Sequence, residues 1–160
     1  MSAESKIAEL GLDLAHPPTP VDNYVGVVTT GNLVFLAGHG PRQPGRDGEF
    51  VRGKLGDDMT VEQGYEAARL VGVGLLSTLR REIGDLDRVR RIVKALCMVN
   101  CTPDFGRQPQ VANGFSDLMG EVFGEKGRHA RSAVGMSSLP NGIAFEAEMI
   151  VELEPSQVEH

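Results

Sequence analysis

Tryptophan is absent from this chain, and aromatic residues together make up only 5% of it. Stacking platforms for single-stranded nucleic acid are therefore scarce. Positive charge is in deficit: 16 Lys and Arg stand against 22 Asp and Glu, a formal net charge of −6. That balance opposes a phosphate backbone unless basic residues gather on one face. No apolar run is long enough to span a bilayer, and the N-terminus lacks the charged-then-apolar pattern of a cleaved signal peptide. Cysteine is limited to Cys97 and Cys101, both in an apolar run. Their spacing puts them on one face of a strand, but no nearby His or Cys set completes a metal site, so core packing is expected. The expectation is a cytoplasmic protein with reduced thiols, without nucleic acid or membrane as partners. No Walker-type or dinucleotide glycine motif stands in the right context.

What is present suits a soluble globular domain. The chain has 160 residues, 41% of them apolar and 24% charged, enough for one compact domain with a real core. Residues 1–22 read as a loosely held lead-in, in which Ile7, Leu10, Leu12 and Leu14 make a short amphipathic piece stopped by Pro17-Pro18-Thr19-Pro20. Residues 23–155 read as a single domain.

Tyr24 to Thr29 and Leu33 to Ala37 read as a hairpin turned at Gly31-Asn32. Residues 38–58 read as a loop carrying a short extra strand near Phe50. Thr60-Val61-Glu62-Gln63 is a capping box, and the helix it opens puts Ala68, Val71, Leu75, Leu79 and Ile83 on one face before Gly84 ends it. Arg91 to Cys101 is a nearly continuous apolar strand. Pro109 starts a second helix with Val111, Phe115, Leu118, Met119 and Val122 inward, ending near Gly124. The order is β-β-α-β-α-β-β, an α+β fold with both helices on one face of a mixed sheet. The central strand around Val93 to Val99 asks for cover on both faces, which one layer of helices does not supply, so another subunit is expected against the open face.

The last two strands carry the chemistry. Arg131 opens the first, Asn141-Gly142 marks a tight turn, and Glu146 and Glu148 lie two apart on the second. Ile143, Phe145, Ala147, Met149 and Val151 alternate with Glu146, Glu148 and Glu152, so the odd face packs and the even face carries acids. A two-residue loop pairs Ser137 with Glu146 and Arg131 with Glu152. It puts Arg131, Ala133 and Gly135 on the acidic face, Val134 and Met136 on the apolar one, and Arg131 about 20 Å from Glu146. If both serve one site, they come from neighbouring subunits. A guanidinium that forks onto a carboxylate, with acids that handle water or protons, suits a small acidic molecule. Each residue also has a plain structural reading: an interface ion pair for Arg131, a solvated sheet face for Glu146 and Glu148, packing for Tyr24, a bystander for His39. His129 beside Arg131 is a candidate for anion binding, and Arg88, Arg90, Arg91 and Lys94 form a solvated basic cluster.

Arg131-Ser132-x-Val134, Leu139-Pro140 and Phe145-Glu146-x-Glu148 resemble the C-terminal pattern of the reactive-intermediate deaminase family (Rid, YjgF-like), formerly called endoribonuclease L-PSP. Leu36-Ala37-Gly38 with Pro41, and Gly53-Lys54-Leu55-Gly56 before Thr60, resemble its strand end and helix entry. The resemblance spans about residues 20–153. It implies a chorismate-mutase-like fold, a homotrimer with clefts between subunits, and hydrolysis of enamines or imines to 2-keto acids and ammonia. It implies that Arg131 clamps a substrate carboxylate, Glu146 positions or activates water, Tyr24 lines the cleft, and the backbone at Gly38 and Ala133 contacts substrate or water. It implies no metal and no organic cofactor. His39 replaces the family's common glutamine and takes its place against substrate; Ala133 replaces a cysteine; Ala112 replaces an asparagine, with Asn113 adjacent. The N-terminal segment and the 40–58 loop are longer than in compact members. A non-catalytic binder of small carboxylates using the same cleft is the alternative, and ribonuclease activity is opposed by the acidic balance.

Overall fold

A computed structural model describes residues 1–43, 46 and 49–156. Part of the predicted 38–58 loop therefore lies outside the described residues. Among the described residues eight main elements follow one another: α1 (Ala3–Glu9), β1 (Val27–Thr30), β2 (Leu33–His39), α2 (Val61–Ile83), β3 (Val89–Asn100), α3 (Gln108–Phe123), β4 (Ala130–Met136) and β5 (Phe145–Leu153). The predicted α+β order holds from β1 to β5, with one more helix at the N-terminus. No helix among the described residues is long and apolar enough to cross a membrane.

Local chemistry sets the helices. Thr60 Oγ1 accepts from the Gln63 amide while the Gln63 side chain accepts from the Thr60 amide, which satisfies two of the free N–H groups at the start of α2. Gly84, with φ +85°, ends it. The expected inward residues of α2 and α3 are all buried. The two helices meet at Gly114, where a Cβ would overlap the Tyr65 carbonyl oxygen. The lead-in is not loosely held: Ile7 and Leu14 are buried, Glu4 accepts from Arg80 and from the Leu86 amide, and Ser77 Oγ donates to the Leu14 carbonyl. Nor do the prolines end α1. Gly11 does, at φ +65°, with the Leu12 amide bonded to the Ile7 carbonyl and the Gly11 amide to that of Ala8.

The five-stranded sheet has the order β1-β2-β5-β3-β4. This overturns the predicted C-terminal hairpin. β5 runs antiparallel to both β2 and β3, and β4 runs parallel to β3, so β3 separates β4 from β5. The Asn141-Gly142 turn does form, with both residues at positive φ and the Ile143 amide bonded to the Pro140 carbonyl. It serves a crossing over the end of β3, where residues 51–56 bind it: Gly53 donates to the Gly142 carbonyl, Ala144 to Val51, and the Asn100 amide to Ala144. The predicted strand near Phe50 is reduced to the bridges Arg42 to Phe50 and Arg52 to Ile143.

β5 alternates as expected: Phe145, Ala147, Met149 and Val151 face the helices, and Glu146 and Glu148 face away. The bare face holds a hollow of about 540 Å³, lined in part by Val28, Phe35, Leu96 and Ile150.

Replacing Gly114 by Ala should lower stability by about 1–3 kcal/mol, because the added methyl has backbone in its way. Gly120, on the same helix with nothing within 4 Å, should gain up to about 1 kcal/mol on the same change. Urea unfolding of the two variants checks the contrast.

Candidate functional site

The parallel pairing of β4 with β3 decides where Arg131 points. Arg131 sits level with Ala95, and Ala133 with Cys97, both fully buried residues of the helix-facing side. Arg131, Ala133 and Gly135 therefore lie on the helix face, and Val134 lies on the open one with 39% exposure. This reverses the faces predicted from the hairpin. Arg131 pairs with Ala95, and Glu152 pairs with Leu33 and Arg91. Arg131 Nη1 donates to Asn113 Oδ1 at 2.9 Å and to Ser116 Oγ at 3.0 Å, both on α3. Among the described residues no carboxylate pairs with it.

Around Arg131 a cleft of about 730 Å³ opens between α3, the turn Gly124–Gly127 and the start of β4. Asn113, Ser116 and His129 share it with Arg131, and Asp117 and Glu121, further along α3, line it too. Those two acids are occupied: Tyr65 donates to Asp117 at 2.7 Å, and Arg69 binds both oxygens of Glu121. The Asp117 contact pushes the Tyr65 phenol up to about 12. Burial, and then the Arg131 charge, hold His129 below the ordinary histidine range.

Glu146 belongs to a different place. It sits level with Met98 on β3, three residues along from the Arg131 level and two strands across, on the open face. At ~3.3 Å per residue and ~4.8 Å per strand the backbones are about 14 Å apart, with the sheet between the side chains. Within one chain Arg131 and Glu146 do not meet. The separation expected from the hairpin persists, on different geometry.

Gly38 does meet Glu146: a Cβ at 38 would come within 2.9 Å of its carboxylate oxygen. Glycine here leaves room for the acid. Burial, and next the Glu148 charge, raise the Glu146 carboxyl above its usual range. Tyr24 precedes β1, which begins at Val27, not at Tyr24; it is 50% exposed, one residue from Val25 on the rim of the open-face hollow.

His39 departs from its expected place against substrate. The strand register shifts between Leu36 and His39. Regular alternation from Leu36 would put His39 on the open face; the bulge turns it to the helix side instead. There it is 7% exposed, with Nδ1 2.7 Å from the Ala37 carbonyl and Nε2 2.7 Å from Thr78 Oγ1. The carbonyl only accepts, so Nδ1 carries the proton and Thr78 donates to Nε2. Burial is the main cause that lowers its pKa, with Arg42 and Arg81 acting in the same direction. The cysteines pack as expected: Cys97 is fully buried, its thiol pushed up to about 11 by burial. No group of three or more His, Cys, Asp or Glu among the described residues is arranged to hold a metal ion.

Sequence reasoning missed Ser116 and the part played by Asn113. They stand three apart on α3, beside its apolar stripe, a spacing that puts both on the strip of helix facing the edge strand.

Comparison with known proteins agrees with this architecture. Residues 4–146 match the family model described as "YjgF/chorismate_mutase-like, putative endoribonuclease". The chain is 42% identical to protein TCP17 of Trypanosoma cruzi, over 93% of this chain and 92% of that one. The crystal structure of Atu1372 from Agrobacterium tumefaciens, a protein of unknown function, superposes with a TM-score of 0.83 at 38% identity, covering 95% of this chain and 93% of that one. A Shewanella oneidensis structure described as a putative endoribonuclease gives a TM-score of 0.89 at 29% identity, covering 96% of this chain and all of the other.

His39 and His129 set an acid limit on stability. Their folded-state pKa values lie below the unfolded value near 6.5, so on acidification the unfolded chain takes up protons that the folded rings refuse. Their contribution is complete above about pH 6.5 and declines as pH falls from there through the folded pKa values. The urea midpoint should therefore fall between pH 7.5 and pH 5, and His39→Gln should flatten part of that fall.

Proposed function

The chain belongs to the YjgF/chorismate mutase-like family, and on that premise we propose that it hydrolyses small 2-imino acids to 2-keto acids and ammonia. The observation that carries this reading is the state of Arg131. It is a cation held by two neutral partners, unpaired with any carboxylate among the described residues, on the wall of a roomy cleft. Only Nη1 is engaged there, which leaves donors for the bidentate grip that a carboxylate takes.

In this reading the substrate carboxylate sits on Arg131, and its imine carbon, one bond away, receives water. An imine conjugated to a carboxylate is already electrophilic, and protonation on nitrogen makes it more so. The protein fixes the anion, places the water and carries protons. Glu146, with room made by Gly38, positions the water. Because the sheet separates Glu146 from Arg131, the complete site takes Arg131 from one subunit and Glu146 and Gly38 from a neighbour. The apolar open face supports such an assembly: Val28 is 55% and Phe35 41% exposed there, beside half-buried Leu96 and Met98. We read the assembly as a homotrimer. The endoribonuclease description in the family name draws no support from a chain with net charge −6.

The test generates 2-imino acids in situ from a panel of L-amino acids with an amino-acid oxidase and traps them with semicarbazide. Wild-type protein should compete with the trap. Arg131→Ala should lose about 10²-fold or more, the loss of two charge-assisted hydrogen bonds at ~1.5–3 kcal/mol each. Arg131→Lys should also be poor, because it keeps the charge and loses the fork. Competition that survives Arg131→Ala would contradict the anchor. A folded wild type that never competes would leave carboxylate binding without turnover.

A further inference from the structure

Beside Arg131 runs a chain of hydrogen bonds whose direction is set at both ends. His129 Nδ1 lies 2.7 Å from the Gly127 carbonyl, which only accepts, so Nδ1 carries the proton and Nε2 offers its lone pair. Ser116 Oγ lies 3.0 Å from Nε2 and donates to it. The same oxygen accepts from Arg131 Nη1. The chain thus reads Arg131 to Ser116 to His129 to the Gly127 carbonyl, with every donor facing an acceptor.

The orientation is well supported. The imidazole stands edge-on to Phe115, ring centroids 5.4 Å apart at 69°. Residue 127 packs directly against α3: a Cβ there would overlap the Met119 carbonyl oxygen. A hydroxyl bonded to an imidazole whose other nitrogen is tied to a fixed acceptor is the arrangement by which a serine passes a proton. Ser116, His129 and Arg131 all line the same cleft.

We propose that Ser116 and His129 form the proton relay of the Arg131 site, Ser116 as the group that touches substrate and His129 as the group that acts through it. The proposal rests on the imine-hydrolysis reading above. As water adds to the protonated imine carbon, a C–O bond forms and the C=N π pair moves to nitrogen. The water proton passes to Ser116 Oγ while the Ser116 proton passes to His129 Nε2. In collapse the path reverses, and the proton reaches the amine nitrogen. The hydroxyl oxygen pair then forms C=O, and the C–N bond breaks with its pair on departing ammonia, which takes up the last hydroxyl proton. Protonated imine and water become keto acid and ammonium, with nothing oxidised or reduced.

The charged groups around His129 favour its neutral form or are otherwise engaged. Arg131 on β4 and Arg128 beside it are cations; Asp117 and Glu121 on α3 line the same cleft, bound to Tyr65 and Arg69. The relay therefore acts as a base through neutral pH, and it fails on the acid side when His129 is protonated.

Full-length wild type, His129→Gln, Ser116→Ala and Arg131→Ala are compared in the trapping assay across pH. His129→Gln keeps an acceptor for the Ser116 hydroxyl but takes no proton. It should lower kcat about 10²-fold, leave KM within about threefold, and erase the acidic limb of the kcat profile. Ser116→Ala should lower kcat similarly and is the second variant should His129→Gln fold poorly. Wild-type activity that needs Arg131, with both relay variants at wild-type kcat and an unchanged acidic limb, would overturn the relay alone. Variants that raise only KM would overturn it too. A wild type inactive on every imine would overturn the hydrolysis reading and the relay with it.

Discussion

The insertion of β3 between β4 and β5 is the constraint on which the rest of the molecule depends. β3 is twelve residues long and hydrogen-bonds along both edges, parallel to β4 and antiparallel to β5. Its buried residues Ile92, Ala95, Cys97 and Val99 face the helices. Parallel pairing needs a crossover, and α3 supplies it. The crossover brings α3 over the edge strand and places Asn113 and Ser116 where Arg131 meets them. Antiparallel pairing on the other edge turns Glu146 to the opposite face. One choice of strand neighbours thus puts Arg131 and Glu146 on opposite faces of the sheet.

Each of these two places has its own electrostatic character. The edge cleft holds a cation steadied by neutral groups, while the nearby acids are occupied by Tyr65 and Arg69. An anion entering there meets a charge whose orientation has already been arranged. The open face holds a half-buried acid beside a glycine that yields it space, its carboxyl raised by burial and by Glu148. In the proposed hydrolysis a carboxylate anchor and a water-positioning acid are complementary, and neither place holds both. In the proposed assembly, a second copy seated on the apolar hollow of the open face would bring the two together.

What could be read in the sequence was what short-range physics decides. Thr60 and Gln63 announce the start of α2, Gly84 its end, and the alternation from Phe145 to Leu153 the two faces of β5. Even the Asn141-Gly142 turn forms. Strand pairing was hidden because it is settled by competition among distant segments. The turn favours a hairpin locally, but Gly53, Val51 and Asn100 take the backbone bonds around it, and β3 takes the pairing edges of both strands. His39 was misplaced by a single bulge, which exchanges the faces of residues 38 and 39 and leaves Gly38, not His39, beside the acid. The family resemblance pointed to Arg131 and Glu146 by position in the chain alone; the faces on which they lie came from the strand register. Asn113 and Ser116 were obscured because polar residues beside an apolar stripe look like ordinary solvated helix surface.

The central claim is that Arg131 and Glu146 act together only across two chains. Arg131→Ala and Glu146→Ala proteins, each assayed alone for imine hydrolysis, should be nearly inactive. Mixed by co-expression or joint refolding in equal amounts, they should recover about one quarter of wild-type activity, the share of sites that receive both intact residues in a random cyclic assembly. A mixture no more active than its parents, with mixed oligomers demonstrated, would contradict the account.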